Sequence, residues 1–267
     1  MSRIVTAATI PQILSELGQL DVQAVHVQWP PLNVPDRTLY QPYARGWATF
    51  APWLDDPCVL AASRHLRECG KINLIETDRA WTLAAAFRQT RVLAGEVWEA
   101  GVYQGGSATL LKLLAQEAAT VDGSVPTTLR LFDSFAGLPE TGHPLDLHQR
   151  SDFHDTSLEQ VRETVGPEEW IEFRPGWIPA SFAGLETACL RMAHIDLDLY
   201  QPILDCCEFT YSRLAPGGML VIDDYGLPSC PGARAAVDQF FRGRPETPFP
   251  LINGQCVVVR HGDRAAR

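Results

Sequence analysis

Two apolar runs in this 267-residue chain end in acids: Ile195-Asp196-Leu197-Asp198 closes one, and Val221-Ile222-Asp223-Asp224 closes the other. If the runs are adjacent strands, four carboxylates converge. Like charges at that range repel, and burying them is costly unless a cation or a proton compensates. A divalent ion resolves the conflict, and all-oxygen ligation points to Mg²⁺. The alternative is a metal-free acid cluster with helix-capping aspartates. His194, inside the first run, reads as a packed, hydrogen-bonded strand residue rather than a ligand.

A second constellation lies earlier. The run Glu96–Ala100 leads into Gly101-Val102-Tyr103-Gln104-Gly105-Gly106-Ser107. Glycines there let the backbone turn tightly and come close to a ligand. The spacing is not the dinucleotide fingerprint, so no pyrophosphate grip is expected. The loop either approaches a ligand or is merely a strand-to-helix turn. The next run, Leu129–Phe132, ends in Asp133-Ser134-Phe135. An acid there can accept both hydrogen bonds of a ribose diol, or it can cap a helix.

Alternating periods supply the elements that must position these residues. Leu74, Ile75, Trp81, Leu83, Phe87 and Val92 recur at helix-like intervals over about 56–94. Strands are expected at 96–101, 129–133, 170–173, 190–196 and 219–223. Helices are expected near 107–116, 158–165, 180–185, 202–214 and 233–242. A closing hairpin over 250–259 uses Asn253-Gly254 for the two positive φ angles of a tight turn. Strands alternating with helices imply an α/β fold, a doubly wound and mostly parallel seven-stranded sheet covered on both faces. The hairpin adds an antiparallel edge, and a helical extension precedes the sheet. Two regions follow: an N-terminal extension over 1–94, irregular and then helical, for substrate or oligomer contacts, and a core over 95–267. Gln28-Trp29-Pro30-Pro31-Leu32 cannot be helical. His143, His148 and His154 share a loop, with spacing that fits no helix-face metal site, and read as surface or lid residues. Trp81, Phe87, Phe240 and Phe241 read as core.

The formal charge is −10 and the pI about 5.1. Such an acidic chain is a poor partner for nucleic acid or an anionic membrane surface. Seven cysteines, an odd number without a C-x-x-C pair, speak against a zinc site or a disulfide framework and for a reducing compartment. No signal-peptide pattern or membrane-length apolar run is read, so a cytoplasmic enzyme with a small substrate is expected.

The blocks EVWEAGVYQGGSATLL, LRLFDSFAGLPE, PGWIPASFAGLE, AHIDLDLYQPILDCCEFTYSRLAPGGMLVIDDYG and PGARAAVDQFF occur in this order over 96–241. Through them the chain resembles the macrocin O-methyltransferase family, which includes mycinamicin and novobiocin sugar O-methyltransferases. The resemblance implies the class I methyltransferase fold, S-adenosylmethionine and Mg²⁺ as cofactors, and a hydroxyl of a deoxysugar on a secondary metabolite as acceptor. It implies that Asp196, Asp223 and Asp224 hold the metal and that Asp198 is the general base. Glu99, Gly101 and the loop through Tyr103, Gly105 and Ser107 would face the methionine part of the cofactor. Asp133 would bind its ribose with Ser134 beside it, and Gly176 and Trp177 would lie by the adenine. Ile75 and Glu76, just before the core, would also touch the cofactor. Residues 1–55 carry no resemblance. A homo-oligomer is expected.

A sugar hydroxyl is a weak acid, and a coordinated Mg²⁺ lowers its pKa while a carboxylate takes the proton. A catechol or phenol acceptor is the competing expectation. Such enzymes often use a lysine base, and none stands near these strand ends. A nicotinamide-dependent oxidoreductase is disfavoured by the missing dinucleotide loop. A non-catalytic binding protein is disfavoured by the retained charge conflict.

Overall fold

The computed structural model describes residues 4–5, 26–27 and 51–262. Within residues 1–51, β1 (Ile4–Val5) and β2 (His26–Val27) pair in parallel. The segment Gln28–Leu32 lies outside the described residues. Residues 52–267 form a separate compact unit.

That unit opens with helix α1 (Pro57–Glu68). Asp56 caps it, accepting from the backbone N–H groups of Cys58 and Val59 at 3.0 and 3.1 Å, with proline at the first helical position. The helical pattern over about 56–94 is realised as two helices. Gly70, at φ +66°, ends α1, with Gly70 N–H donating to Arg67 O and Lys71 N–H to Leu66 O. This is a Schellman stop, for which glycine is the usual residue. Helix α2 (Thr77–Thr90) follows. Both helices pack on the sheet's helical layer, so the boundary expected at residue 95 marks where the sheet begins, inside the compact unit.

Strands β3 (Glu96–Ala100), β4 (Leu129–Asp133), β5 (Ile171–Pro175), β6 (Leu190–Ile195) and β7 (Leu214–Ile222) are parallel. Strands β8 (Phe249–Pro250) and β9 (Cys256–Val259) add the antiparallel edge. The order is β5-β4-β3-β6-β7-β9-β8, so the chain winds outward both ways from the β3/β6 boundary. Helices α3 (Gly106–Asp122), α4 (Leu158–Val165), α5 (Tyr200–Tyr211) and α6 (Pro231–Phe241) connect the strands.

Successive strand residues point to opposite faces. Val97, Leu131, Met192 and Val221 meet α1 to α4, while Trp98, Phe132, Ala193 and Ile222 meet α5 and α6. Phe87, Phe240 and Phe241 are buried, but Trp81 is only partly so. The hairpin connection runs over 251–255 rather than two residues. Of the Asn-Gly pair only Gly254 has positive φ, and the Asn253 amide donates to Thr82 and Gln255. The short helix expected near 180–185 is a single 3-10 turn, Ala180–Phe182. Among the described residues no helix is long and apolar enough to cross a membrane.

Candidate active site

In open α/β sheets ligands bind beyond the carboxyl ends of the strands, where the winding reverses. Here that point joins β3 to β6, and a cavity of about 540 Å³ opens over it. Gly101, Tyr103, Ser107, Asp133, Ser134, Gly176, Trp177 and Ile75 line the cavity, as do Asp196, Asp198, Asp223 and Asp224. Glu99, Gly105 and Glu76 are not among its lining residues. Gly105 instead caps α3 with a left-handed backbone.

Gly101 sits at φ +90°, and a Cβ there would overlap the carbonyl oxygen of Asp196. Its glycine is therefore required by the close approach of β3 to β6 as well as by the turn. The loop beyond it is clamped by Asp133. One carboxylate oxygen accepts from the Val102 and Tyr103 N–H groups at 2.7 and 2.9 Å, and the other from Phe135 N–H at 2.7 Å. Asp133 caps no helix, because a long loop follows it; it holds the glycine loop. A carboxylate offers about four lone-pair sites, so three backbone bonds leave room for a further donor.

The register explains the aspartates. Ile195 lies opposite Ile222 across the parallel β6/β7 pair. Asp196 and Asp223 therefore leave neighbouring strand ends together. Asp198 adopts φ +58°, and its N–H donates to Asp224 at 3.2 Å. Burial, then the charge of Asp224, pushes the Asp198 carboxyl up to about 7. The same two causes, with the charge of Asp198 adding to them, hold Asp196 well above the usual carboxylate range.

Beneath this cluster His194 is wholly buried, as expected of a packed strand residue. Its Nδ1 lies 3.0 Å from Glu99 Oε1, and its Nε2 lies 3.6 Å from Asp223 Oδ1. The other Glu99 oxygen is buried without a hydrogen-bond partner. Glu99 thus packs against His194 beneath the aspartate-bearing strand end and does not line the cavity.

Three contributors escaped the sequence reading. Arg79, from the first turn of α2, is ion-paired with Asp223 and lies 3.8 Å from Asp224. Gln255 donates to Asp223 at 2.6 Å. His148, read as a surface or lid residue, lines the cavity 3.5 Å from Asp198. Its loop is pinned: Asp146 accepts from Tyr200 N–H at the start of α5, and His143 stacks on the Tyr200 ring at 3.9 Å.

Asp196, Asp198, Asp223 and Asp224 thus meet one guanidinium. Burial and the charges of Asp224 and Asp198 raise the cost of ionising Asp196, and a hard cation would relieve that crowding. The oxygen-only donor set of Asp196, Asp223 and Asp224 fits Mg²⁺, although Arg79 and Gln255 already engage both oxygens of Asp223.

A family model described as Macrocin-O-methyltransferase (TylF) matches residues 74–261. The chain is 34% identical over 186 residues to 8-demethyl-8-(2,3-dimethoxy-alpha-L-rhamnosyl)-tetracenomycin-C 4'-O-methyltransferase of Streptomyces olivaceus, covering 65% of this chain and 68% of that protein. It is 31% identical over 159 residues to mycinamicin III 3''-O-methyltransferase of Micromonospora griseorubida, covering 55% and 60%. Among solved structures, the O-methyltransferase NovP superposes with a TM-score of 0.60 at 25% identity, over 71% of this chain and 84% of that one.

Proposed function

Because this chain belongs to the macrocin O-methyltransferase family, we propose that it moves the methyl group of S-adenosylmethionine onto a sugar hydroxyl of a small secondary metabolite. One observation carries the reading: the glycine loop, Asp133 and the four aspartates line a single cavity at the winding reversal. The name of one relative places its acceptor on a rhamnosyl group, which supports a deoxysugar here.

In this reading the loop after β3 and Asp133 orient the cofactor, with Gly176 and Trp177 beside its adenine. Asp196, Asp223 and Asp224 would hold Mg²⁺, which when bound lowers the pKa of the acceptor hydroxyl. Asp198 takes the hydroxyl proton while the acceptor oxygen attacks the methyl carbon and the carbon–sulfur bond breaks, releasing the thioether. A base is most effective when its pKa lies near the working pH, and the burial that raises Asp198 tunes it in that direction. Orientation contributes as much as proton transfer, since displacement at carbon needs reacting atoms about 3–3.5 Å apart and aligned.

The test offers methyl-labelled S-adenosylmethionine with a panel of deoxysugar glycosides and catechols, in EDTA and in Mg²⁺, and reads products by mass spectrometry. A labelled glycoside that disappears in EDTA and returns with Mg²⁺ is expected. Transfer to catechols alone, or undiminished turnover in EDTA, overturns the reading.

A further inference from the structure

We propose that His148, Asp198 and Cys230 form a second cation site, selective for a borderline or soft divalent ion of the Zn²⁺ and Cd²⁺ class, and that filling it inhibits methyl transfer. The donor atoms make a nearly equilateral triangle. Cys230 Sγ lies 3.4 Å from Asp198 Oδ1 and 3.5 Å from His148 Nε2, and those two atoms are 3.5 Å apart. A tetrahedral ion with bonds of about 2.0–2.3 Å sets its ligands roughly 3.3–3.7 Å apart. The triangle already has those edges, so an ion can enter with little movement of the donors.

The surroundings match a ligand set held ready. His148 Nδ1 lies 3.0 Å from Asp152 Oδ2. A carboxylate there keeps the proton on Nδ1 and turns the Nε2 lone pair to the centre, the usual support of a metal-bound histidine. Asp198 is held from behind by its N–H bond to Asp224. Cys230 is buried just ahead of α6, with Ser229 Oγ 3.4 Å from its sulfur. All three residues line the same cavity as the glycine loop and the four aspartates.

Donor type separates this site from the aspartates. One sulfur, one imidazole nitrogen and one carboxylate oxygen suit Zn²⁺ or Cd²⁺, whereas oxygen donors alone suit Mg²⁺. As the sulfur–metal bond forms, the thiol proton leaves to solvent. The inhibitory half rests on the role proposed for Asp198, because a carboxylate bound to the ion no longer accepts the acceptor proton. The binding half does not depend on that role.

The experiment titrates the Mg²⁺-loaded full chain with Cd²⁺ and follows the ultraviolet thiolate-to-cadmium band. The exposed Cys69 and Cys189 are replaced by serine to lower the background. Cys230→Ser should remove one thiolate's worth of band, and His148→Gln, which leaves the sulfur in place, should weaken binding by roughly tenfold or more. Zn²⁺ should inhibit methyl transfer at saturating Mg²⁺, with the inhibition constant rising in His148→Gln. An unchanged band in both variants overturns the site. Cd²⁺ bound at Cys230 without inhibition overturns only the inhibitory half. If no acceptor is methylated at all, the proposed function fails while the cadmium band still decides the site.

Discussion

Arg79 is the counter-ion of Asp223: its guanidinium, carried on the first turn of α2, closes the acidic cluster from the helical side. Both side chains are largely buried, at 12% and 2% exposure, so the pair is poorly screened by solvent. The metal proposed at Asp196, Asp223 and Asp224 would therefore compete with this guanidinium for the same negative charge. Arg79→Met should lower the stability of the metal-free protein by about 3–5 kcal/mol, as removal of one partner from a buried pair does. The same variant should gain more from added Mg²⁺ than the parent. Thermal unfolding with EDTA and with Mg²⁺ reads both effects, and equal Mg²⁺ shifts in the two proteins would refute the competition.

The two acids of the β6 end have different expected tasks. Asp198→Asn should leave cofactor binding nearly intact and lower kcat by about 10²–10⁴-fold. Asp196→Asn should weaken Mg²⁺ binding, so that excess Mg²⁺ restores part of the activity. Steady-state rates across a Mg²⁺ series separate the two. Rescue of Asp198→Asn but not of Asp196→Asn would reverse the assignments.

Asp133 carries a double expectation. Two of its three backbone bonds hold the glycine loop and the third ties its own turn at Phe135, and its remaining lone pair is proposed to face the ribose. Asp133→Ala should weaken S-adenosylmethionine binding by roughly tenfold or more, from lost hydrogen bonds to a charged group. Hydrogen exchange should also quicken at Val102 and Tyr103. Calorimetry showing unchanged affinity alongside quickened exchange would restrict Asp133 to the loop.

Asp56 gives an acid-dependent prediction away from the cavity. Burial alone would raise its pKa, but the hydrogen bonds from Arg88 and from the α1 backbone, with the Arg88 charge, bring it below its ordinary 3.8. A depressed carboxylate stabilises the fold above its unfolded pKa, and that contribution is lost as pH falls through the folded value. Asp56→Asn keeps a capping oxygen but not the charge. It should cost about 1–2 kcal/mol at pH 7. The difference from the parent should shrink toward zero below pH 3.8. Urea unfolding at several pH values measures it.

The strands of the seven-stranded sheet, their order of appearance and the placement of Gly101, Asp133, Asp196, Asp198, Asp223 and Asp224 at strand ends were legible in the sequence, whereas β1 and β2 fall in a stretch read as irregular. These follow from local repeats, since a period of two or of 3.6 is written in neighbouring residues. Gly70, at φ +66°, divides the helical stretch over about 56–94 into α1 and α2, a stop for which glycine is the usual residue. The pairing of Arg79 with Asp223, the burial of Glu99 against His194 and the meeting of His148, Asp198 and Cys230 were decided only by tertiary structure. No periodicity marks an arginine of α2 as the partner of an acid after β7, or a loop histidine as the neighbour of a thiol before α6. Those contacts exist because the sheet order sets β6 beside β7, and because Asp146 and Tyr200 pin the histidine loop over their ends. Side chains far apart in sequence meet only once packing has fixed the elements that carry them.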